Sequence, residues 1–252
     1  MGKSYVFVNQ KGGVGKTTSA INIGAFLADA GKSVLLVDFD SQANLSSGVG
    51  VSKAKPDVYD LIAGQAALEA VIRPTFVKGL SVIPAGMDLS GAAVELVEQE
   101  NRDFFLAKAL EPARKKYDYI LIDSPPSLGI LTLNGISAAD AILIPMQCEY
   151  FALEGLTHLL QTIKGVQKGL NPKLEIGGIF FTMYDPRIRL AQQVVQEVSS
   201  YFKNKVFSTI VPRNVRLSEA PSHQLPISKF DPNCSGAKAY KSLAQEVLER
   251  DA

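Results

Sequence analysis

The sequence predicts an α/β domain with a doubly wound, mainly parallel sheet and helices on both faces. Three observations support this fold class. Short apolar runs alternate along the chain with longer segments of helical period. Most of these runs are apolar on successive residues, which is typical of strands covered on both sides. The alternation continues without a linker or a low-complexity tract, so we expect residues 1–252 to form a single domain.

The elements follow one another in a regular order. The predicted strands are residues 5–9, 34–38, 80–84, 119–123, 141–146, 176–183 and 206–212. The predicted helices are residues 17–30, 103–116, 153–169, 190–202 and a closing helix at 235–249. The first four are long enough for crossovers between parallel strands. Residues 41–79 are the least regular stretch, and we expect loops and short helices there, near the ligand edge of the sheet.

Composition and charge exclude several classes of protein. The 252 residues are 46% hydrophobic, enough for a sizeable core, and the net charge is +1. No global basic field therefore indicates a nucleic-acid partner, so such binding would need a local patch. No apolar run approaches the roughly 20 residues of a membrane-spanning helix. With no signal peptide at the start, we expect a soluble, cytoplasmic protein.

A glycine-rich turn between the first predicted strand and helix carries the strongest functional signal. Its residues are Lys11, Gly12, Gly13, Val14, Gly15, Lys16, Thr17 and Thr18. Glycines let backbone amides approach phosphates closely, and the helix that follows adds a favourable dipole. Lys16 would supply a charge to the β- and γ-phosphates, and Thr17 a hydroxyl for Mg²⁺. The sequence thus predicts a P-loop NTPase fold with a nucleotide site.

This loop departs from the common phosphate-loop pattern at one end. Gln10 occupies the position where the first glycine normally stands, and Lys11 follows it directly. The loop therefore carries an additional lysine. A charge beside the glycines is poorly placed for an idle surface residue, which favours a role at the phosphates.

Two later strands end in aspartates. Asp38 and Asp40 close the second predicted strand, and Asp123 closes the fourth. Residues i and i+2 of a strand share a face, so both Asp38 and Asp40 can point into the crevice at the carboxyl end of the sheet. A carboxylate there can hold Mg²⁺ directly or through water. The spacing does not decide between the roles of Asp38 and Asp40.

Taken together, these residues resemble the ParA/MinD family of ATPases, which carry a deviant Walker A motif. The resemblance rests on the run 11–18, on Asp38 and Asp40, and on Asp123. Within the family the chain is most similar to the chromosomal ParA proteins often called Soj, through the segments 147–156 and 212–222. The similarity extends over essentially the whole chain.

The resemblance implies a mechanism with ATP and Mg²⁺ as cofactors. Two protomers would enclose two ATP molecules, and Lys11 would reach the partner's phosphates as an arginine finger does elsewhere. Gly12 would lie where a larger side chain blocks the approach of the protomers. Asp40 would position the attacking water, while Asp38 and Asp123 would support Mg²⁺. Together with Lys11 and Asp40, Lys16 would complete the catalytic set.

The resemblance also implies further contacts and partners. Pro212 and Asn214 would lie around the adenine, and Arg187 and Arg216 would bind DNA. The ATP-bound homodimer would bind DNA without sequence preference, and a ParB-type protein would stimulate hydrolysis. The protein would then be nucleoid-associated in the cytoplasm. The sequence has no helix-turn-helix signature and no zinc module, which argues against base-specific reading.

Three alternatives use the same fold. A MinD-like, membrane-associated ATPase would need a basic amphipathic C-terminal helix, whereas residues 244–252 are acidic. An iron–sulfur carrier would need paired cysteines, and Cys148 and Cys234 have no such spacing. An ATP-gated scaffold that positions another cargo would use the same site residues, so the sequence leaves it open.

Overall fold

A seven-stranded sheet forms the centre of the computed structural model, which describes residues 2–51, 54–150 and 152–252. Phe151, part of the segment 147–156 that contributes to the resemblance, lies outside this range. The strands are β1 (Lys3–Phe7), β2 (Val34–Asp38), β3 (Arg73–Pro74), β4 (Leu80–Ile83), β5 (Tyr119–Asp123), β6 (Ala141–Gln147) and β7 (Glu175–Thr182). Their spatial order is β3-β4-β2-β5-β1-β6-β7.

Every pairing in this sheet is parallel except the short antiparallel pair of β3 and β4. The prediction of a doubly wound, mainly parallel sheet is therefore confirmed. In the register of the sheet, Phe7 of β1 lies beside Asp123 of β5, and Asp123 lies beside Asp38 of β2. The carboxyl ends of these three strands meet at one edge, where open α/β sheets bind their ligands.

Helices cover both faces of the sheet. They are α1 (Lys16–Asp29), α2 (Asn44–Gly48), α3 (Val58–Ile62), α4 (Leu68–Val71), α5 (Leu89–Glu95), α6 (Phe105–Leu110), α7 (Ile130–Ala138), α8 (Ala152–Gly169), α9 (Arg189–Phe202), α10 (Val215–Glu219), α11 (Ile227–Phe230) and α12 (Ser235–Arg250). Short 3₁₀ turns lie at Leu96–Glu98, Ala113–Lys115, Lys203–Lys205 and Ala220–His223.

Successive residues of β1 serve two hydrophobic cores. Phe7 belongs to the core beneath α1 and α12, whereas Val6, and Val8 just beyond the strand, belong to the core on the opposite face. This explains why the strands are apolar on successive residues, since each side chain has a covered face to enter. Fully burying one such side chain contributes about 1.5–3 kcal/mol, so the two cores dominate the stability of the fold.

The closing helix α12 belongs to the first of these cores. Its buried stripe, which includes Tyr240, Leu243 and Val247, packs against α1, and the hydroxyl of Tyr240 lies 2.9 Å from that of Ser19. The apolar face of α12 is therefore already used inside the protein. Over the described residues, no helix combines the length and the apolar character needed to cross a bilayer.

The predicted strand at 206–212 is wrong. Residues Val206 and Pro212 form only isolated bridges to Ile179 and Tyr184. The amides of Phe207 and Val211 still donate to the β7 carbonyls of Ile179 and Phe181, at 2.8 and 2.9 Å. Those of Ser208 and Thr209 turn away from the sheet and donate to the Glu246 carboxylate of α12, at 2.8 and 2.7 Å. A long-range side-chain acceptor thus interrupts the ladder in the middle of the segment, which local sequence does not reveal.

The predicted set of helices also needed revision. The predicted helix at 103–116 is shorter, because Pro112 lacks an amide donor and its ring obstructs the preceding turn; α6 ends at Leu110 and a 3₁₀ turn follows. The helices α5, α7, α10 and α11 were not predicted. The described part of residues 41–79 holds short helices and loops, as expected, and also the strand β3, which was not predicted. Its first residues supply one wall of the site described next.

Candidate nucleotide-binding site

The loop between β1 and α1 has the backbone conformation that a phosphate cradle requires. Gly13 and Gly15 adopt positive φ angles of 74° and 89°, which residues with a Cβ rarely adopt. Gly15 immediately precedes α1, and no side chain caps this helix N-terminus. The free amides of the first turn are thus available to an anion, and the helix dipole favours negative charge there.

The ends of two strands hold this loop in place. The Thr182 hydroxyl of β7 donates to the Val14 carbonyl at 2.8 Å, and the Gln147 amide of β6 donates to the Gly13 carbonyl at 3.2 Å. The loop is therefore fixed from the sheet side through its carbonyls, and its Lys11 amide donates to Asn9 Oδ1 at 3.0 Å. This fixed shape lowers the cost of ordering it around a ligand.

Lys16 is folded inward over the loop. Its ammonium donates to the carbonyls of Asn9 at 3.2 Å and Lys11 at 3.4 Å, and the residue is buried. Burial lowers the pKa of Lys16, and the nearby carboxylates of Asp123 and Asp40 oppose that shift. A buried ammonium without an ion pair among the described residues is well placed to bind a phosphate.

Lys11, the additional lysine, is placed differently. It lies at the exposed side of the loop, where its ammonium forms an ion pair with Glu149 just beyond β6. Both side chains are about half exposed, at 47% and 59%. The two lysines of the loop are therefore not equivalent: Lys16 faces into the loop, whereas Lys11 remains accessible at the surface.

Beneath the loop, Asp123 is completely enclosed. Its Oδ2 accepts a hydrogen bond of 2.7 Å from the Thr17 hydroxyl, while its Oδ1 is buried with no partner in the described structure. Burial raises the pKa of Asp123 to about 8, and the neighbouring charge of Asp38 adds to the shift. An unpartnered buried carboxylate oxygen is costly unless something binds it.

Asp38 is equally buried, but its carboxylate is engaged. Oδ2 accepts from the Ser46 amide at 2.8 Å and from the Ser46 hydroxyl at 2.5 Å. Burial raises the pKa of Asp38 to about 6, against the stabilising effect of these hydrogen bonds. In contrast, Asp40 lies in the wall of the open cleft, and its Oδ1 accepts from the Gln42 amide at 3.0 Å.

Two adjoining cavities lie on either side of the loop. The larger, of about 610 Å³, is lined by the loop residues Gly12 to Thr18 other than Val14, and by Asp40 and Asn44. The smaller, of about 300 Å³, is lined by Pro212 and Asn214 together with Gly15 and Thr18. The structure thus brings the two distant residues predicted around the adenine against the phosphate loop.

Comparison with known proteins adds to this geometry. Residues 2–176 match the family model described as an AAA domain. The chain is 63% identical over 251 residues to the chromosome-partitioning ATPase Soj of Treponema pallidum, covering 100% of this chain and 99% of the relative. It is 53% identical to the sporulation initiation inhibitor protein Soj of Bacillus subtilis, covering 98% of each.

The chain belongs to the ParA/MinD family and is most like its Soj members. The structure of cobyrinic acid a,c-diamide synthase from Mycobacterium smegmatis, with bound ADP and magnesium, is also similar. That structure has a TM-score of 0.86 and 34% identity, covering 99% of this chain and 95% of its own. The fold class and the family predicted from the sequence are both confirmed.

In this Soj-like chain, the residues present suit a magnesium ion. Thr17 and Asp123 already lie in contact, and the unpartnered Oδ1 of Asp123 is a hard oxygen donor of the kind Mg²⁺ prefers. No cluster of three or more His, Cys, Asp or Glu side chains capable of holding a metal occurs in the described residues. A magnesium ion here would therefore depend on nucleotide oxygens and water for its remaining ligands.

The two predicted DNA-binding arginines are both paired within the chain. Arg187 is highly exposed and binds Asp185 through two hydrogen bonds of 2.9 and 2.6 Å. Arg216 donates to Asp231 at 2.9 Å and to Glu219 at 2.8 Å. Any phosphate contact by these arginines would have to replace or share these carboxylates.

Sequence reasoning missed several residues that shape the site. Thr182 and Gln147 come from distant strands and act through the loop's carbonyls, so no local pattern announces them. Glu149 was noticed only within a segment of family resemblance, with no partner assigned. Ser46 follows Asp38 by eight residues, a spacing that has no meaning until α2 folds back over β2.

Proposed function

We propose that this chain is a dimerising, magnesium-dependent ATPase that partitions chromosomes or plasmids. The observation that carries the proposal is the unequal placement of the two lysines in one phosphate loop. Lys16 is enclosed with its own protomer's loop, while Lys11 is accessible at the surface. A second cation at the exposed side of the loop is suited to the phosphates of a nucleotide held by a partner protomer.

Within one protomer, the chain's own groups would bind and orient ATP. Loop amides and Lys16 would hold the phosphates, and Pro212 and Asn214 would border the adenine. Thr17 and Asp123, with Asp38 nearby, would support Mg²⁺, which when bound neutralises charge on the phosphates. Asp40, in the cleft wall, would orient the attacking water.

Gly12 supports the dimer hypothesis by exclusion. A Cβ added at Gly12 would meet only the Cβ of Pro126, at an ordinary contact distance of 3.9 Å. Among the residues that the structure describes, none within the protomer therefore demands glycine at this position. A requirement imposed by a second protomer explains the residue better than a requirement of the fold.

The ATP-bound dimer would bind DNA without sequence preference, and a ParB-type partner would stimulate hydrolysis and release it. The protein would act on the nucleoid in the cytoplasm. Arg187 and Arg216 would each contribute from both protomers, which gives four phosphate contacts. Nucleotide-controlled dimerisation would thereby set DNA affinity through valency. A MinD-like membrane role is not favoured, since the apolar stripe of α12 is buried against α1.

The test is binding to duplex DNA without a preferred site, measured by fluorescence anisotropy with ATP and with ADP at two salt concentrations. We expect tight binding only with ATP. Four phosphate contacts predict a loss of about a hundredfold in affinity between about 50 and 200 mM salt. Arg187→Ala should weaken binding and flatten the salt dependence, while the same substitution at the exposed Arg102 should change neither.

Equal DNA binding in the two nucleotide states would contradict the dimer switch. ATP turnover without any DNA binding would instead favour a scaffold for another cargo. Liposome pelleting with ATP tests the MinD-like alternative, because ATP-dependent binding to vesicles would support a membrane role.

A further inference from the structure

The segment that carries Asp40 over the cleft is a short closed loop. It runs from Asp40 through Gln42 into the five-residue helix α2, and Asp40, Gln42 and Asn44 all line the larger cavity. The amide of Ala43 donates to the Asp40 carbonyl at 2.9 Å, which makes a tight turn within it. The placement of Asp40 therefore depends on what anchors the two ends of this loop.

A single carboxylate anchors both ends. Asp38 Oδ1 accepts from the Asp40 amide at 3.3 Å, and Oδ2 accepts from both the amide and the hydroxyl of Ser46. Asp38 thus joins residue 40, where the loop leaves the sheet, to residue 46 inside α2. Its carboxylate is directed to this loop.

Ser46 extends the anchor to a second strand. Its hydroxyl donates to Asp38 and accepts from the Ala85 amide at 3.0 Å, two residues beyond β4. Both Asp38 and Ser46 are completely buried. A hydroxyl can do this because it has one proton and two lone pairs, whereas alanine would leave the Ala85 amide without this acceptor.

The far side of α2 is fixed by close packing. A Cβ at Gly48 would lie 2.8 Å from the Cδ1 of Ile21 in α1, so the two helices are in contact at this point. The helix α2 is consequently held between the sheet, through Ser46, and the helix that follows the phosphate loop. Loss of the Ser46 contact would free one side only.

We propose that Ser46 is a positioning residue for hydrolysis, which holds the Asp40 loop against the sheet through Asp38 and Ala85. The inference rests on the proposed function, in which Asp40 orients the attacking water. Ser46 touches neither nucleotide nor water in this role. Its effect is to fix the direction from which Asp40 approaches the phosphates.

The experiment compares Ser46→Ala with Ser4→Ala in the full-length protein. Ser4 is a matched control, since it is a buried serine whose amide and hydroxyl both donate to the carboxylate of Asp140, far from the cleft. ATP and ADP affinity, ATP turnover with duplex DNA, and amide hydrogen exchange over residues 40–48 are measured for each. Wild type and Asp40→Ala complete the set.

We expect Ser46→Ala to lower kcat by at least about tenfold, within the roughly hundredfold that misplacement by about 1 Å can cause. KM and nucleotide affinity should stay within about twofold. Exchange should rise over residues 40–48, and Ser4→Ala should leave both kcat and this exchange unchanged. In an Asp40→Ala background, adding Ser46→Ala should lower kcat no further, because both act through one group.

Normal turnover by Ser46→Ala, measured beside an active wild type, would overturn the proposal. The proposal would also be overturned if the fold losses in kcat caused by Ser46→Ala and Asp40→Ala multiplied in the double variant. A wild type that binds ATP but shows no turnover would instead refute the proposed function. The exchange measurement remains decisive in that case, since unchanged protection over residues 40–48 in Ser46→Ala also overturns the anchoring role.

Discussion

The two ends of the parallel strands carry the same motif with opposite electrostatics. At the amino end, Asp140 accepts from the amide and the hydroxyl of Ser4, both at 2.8 Å, and is paired with Arg114 through hydrogen bonds of 3.0 and 2.9 Å. At the carboxyl end, Asp38 accepts from the amide and hydroxyl of Ser46 in the same way. No ion pair to Asp38 is found among the described residues.

This difference indicates that the amino end of the strands stabilises the fold and that the carboxyl end is suited to binding a ligand. At the amino end, a guanidinium compensates the charge of Asp140 and the network is complete. At the carboxyl end, Asp38 and Asp123 lie side by side in the sheet, and the pKa of each is raised chiefly by burial. Two neighbouring buried carboxylates without an ion pair among the described residues are unfavourable in the empty protein and typical of a site that takes a cation.

The comparison predicts its largest effect at Lys16. Lys16→Ala should lower ATP affinity by at least a hundredfold, about 3 kcal/mol, because the phosphates lose the one enclosed ammonium of the loop. The stability of the empty protein should barely fall, since burying that charge is itself costly. Isothermal titration calorimetry and urea unfolding measure the two quantities.

Lys78→Ala, at an exposed lysine just before the amino end of β4, is the control and should change neither quantity. Retained ATP affinity in Lys16→Ala would refute the assignment of the phosphate loop.

Arg114→Ala should show the reverse behaviour. It removes the counter-ion of Asp140 and two further hydrogen bonds, to the Ser4 hydroxyl at 2.6 Å and to the Ala138 carbonyl at 2.9 Å. Breaking a fully buried pair costs about 3–5 kcal/mol, and partial exposure reduces this to about 2 kcal/mol. Urea unfolding should report that loss, while ATP affinity of the folded protein should not change.

Arg102→Ala is the matched control, because this exposed arginine donates to the Val97 carbonyl. If Arg114→Ala weakened ATP binding under conditions in which the variant is fully folded, the assignment of stability to the amino end and of binding to the carboxyl end would be wrong.

Asp123→Asn tests the buried carboxylate of Asp123, which has no ion pair among the described residues, with a smaller expected effect. The folded pKa of Asp123 is raised above the unfolded value near 3.9, so the folded state binds more protons between about pH 4 and 8. The contribution of Asp123 to the free energy of unfolding is therefore fully present below about pH 4 and is lost as pH rises toward 8. Between pH 5 and pH 8, the free energy of unfolding of wild type should fall by at least about 1.4 kcal/mol more than that of Asp123→Asn, which corresponds to a shift of one pKa unit.

The measurement is urea unfolding of the nucleotide-free protein at both pH values, with Asp103→Asn as the control. Parallel pH profiles for wild type and Asp123→Asn would contradict the raised pKa.

The sequence predictions were accurate where the interactions are local in the chain and failed where they join distant residues. The phosphate loop was predicted because a strand, glycines and a helix N-terminus are adjacent in the chain. The strand at 206–212 failed because Glu246, some 40 residues away, takes the amides of Ser208 and Thr209. The partner of Lys11 was missed for the same reason, since Glu149 reaches it only through the pairing of β6 with β1.

By itself the sequence determined the parallel sheet, the phosphate loop with its two lysines, the three aspartates at strand ends and the family. Apolar period, glycine conformational freedom and residue chemistry are local properties, so they can be read without coordinates. Only the tertiary structure decided that Asp123 keeps an unpartnered oxygen, that Asp38 is turned to Ser46, and that Arg187 and Arg216 are already paired. Those outcomes depend on which groups the fold brings within hydrogen-bonding distance, and burial then sets the energetic cost of each.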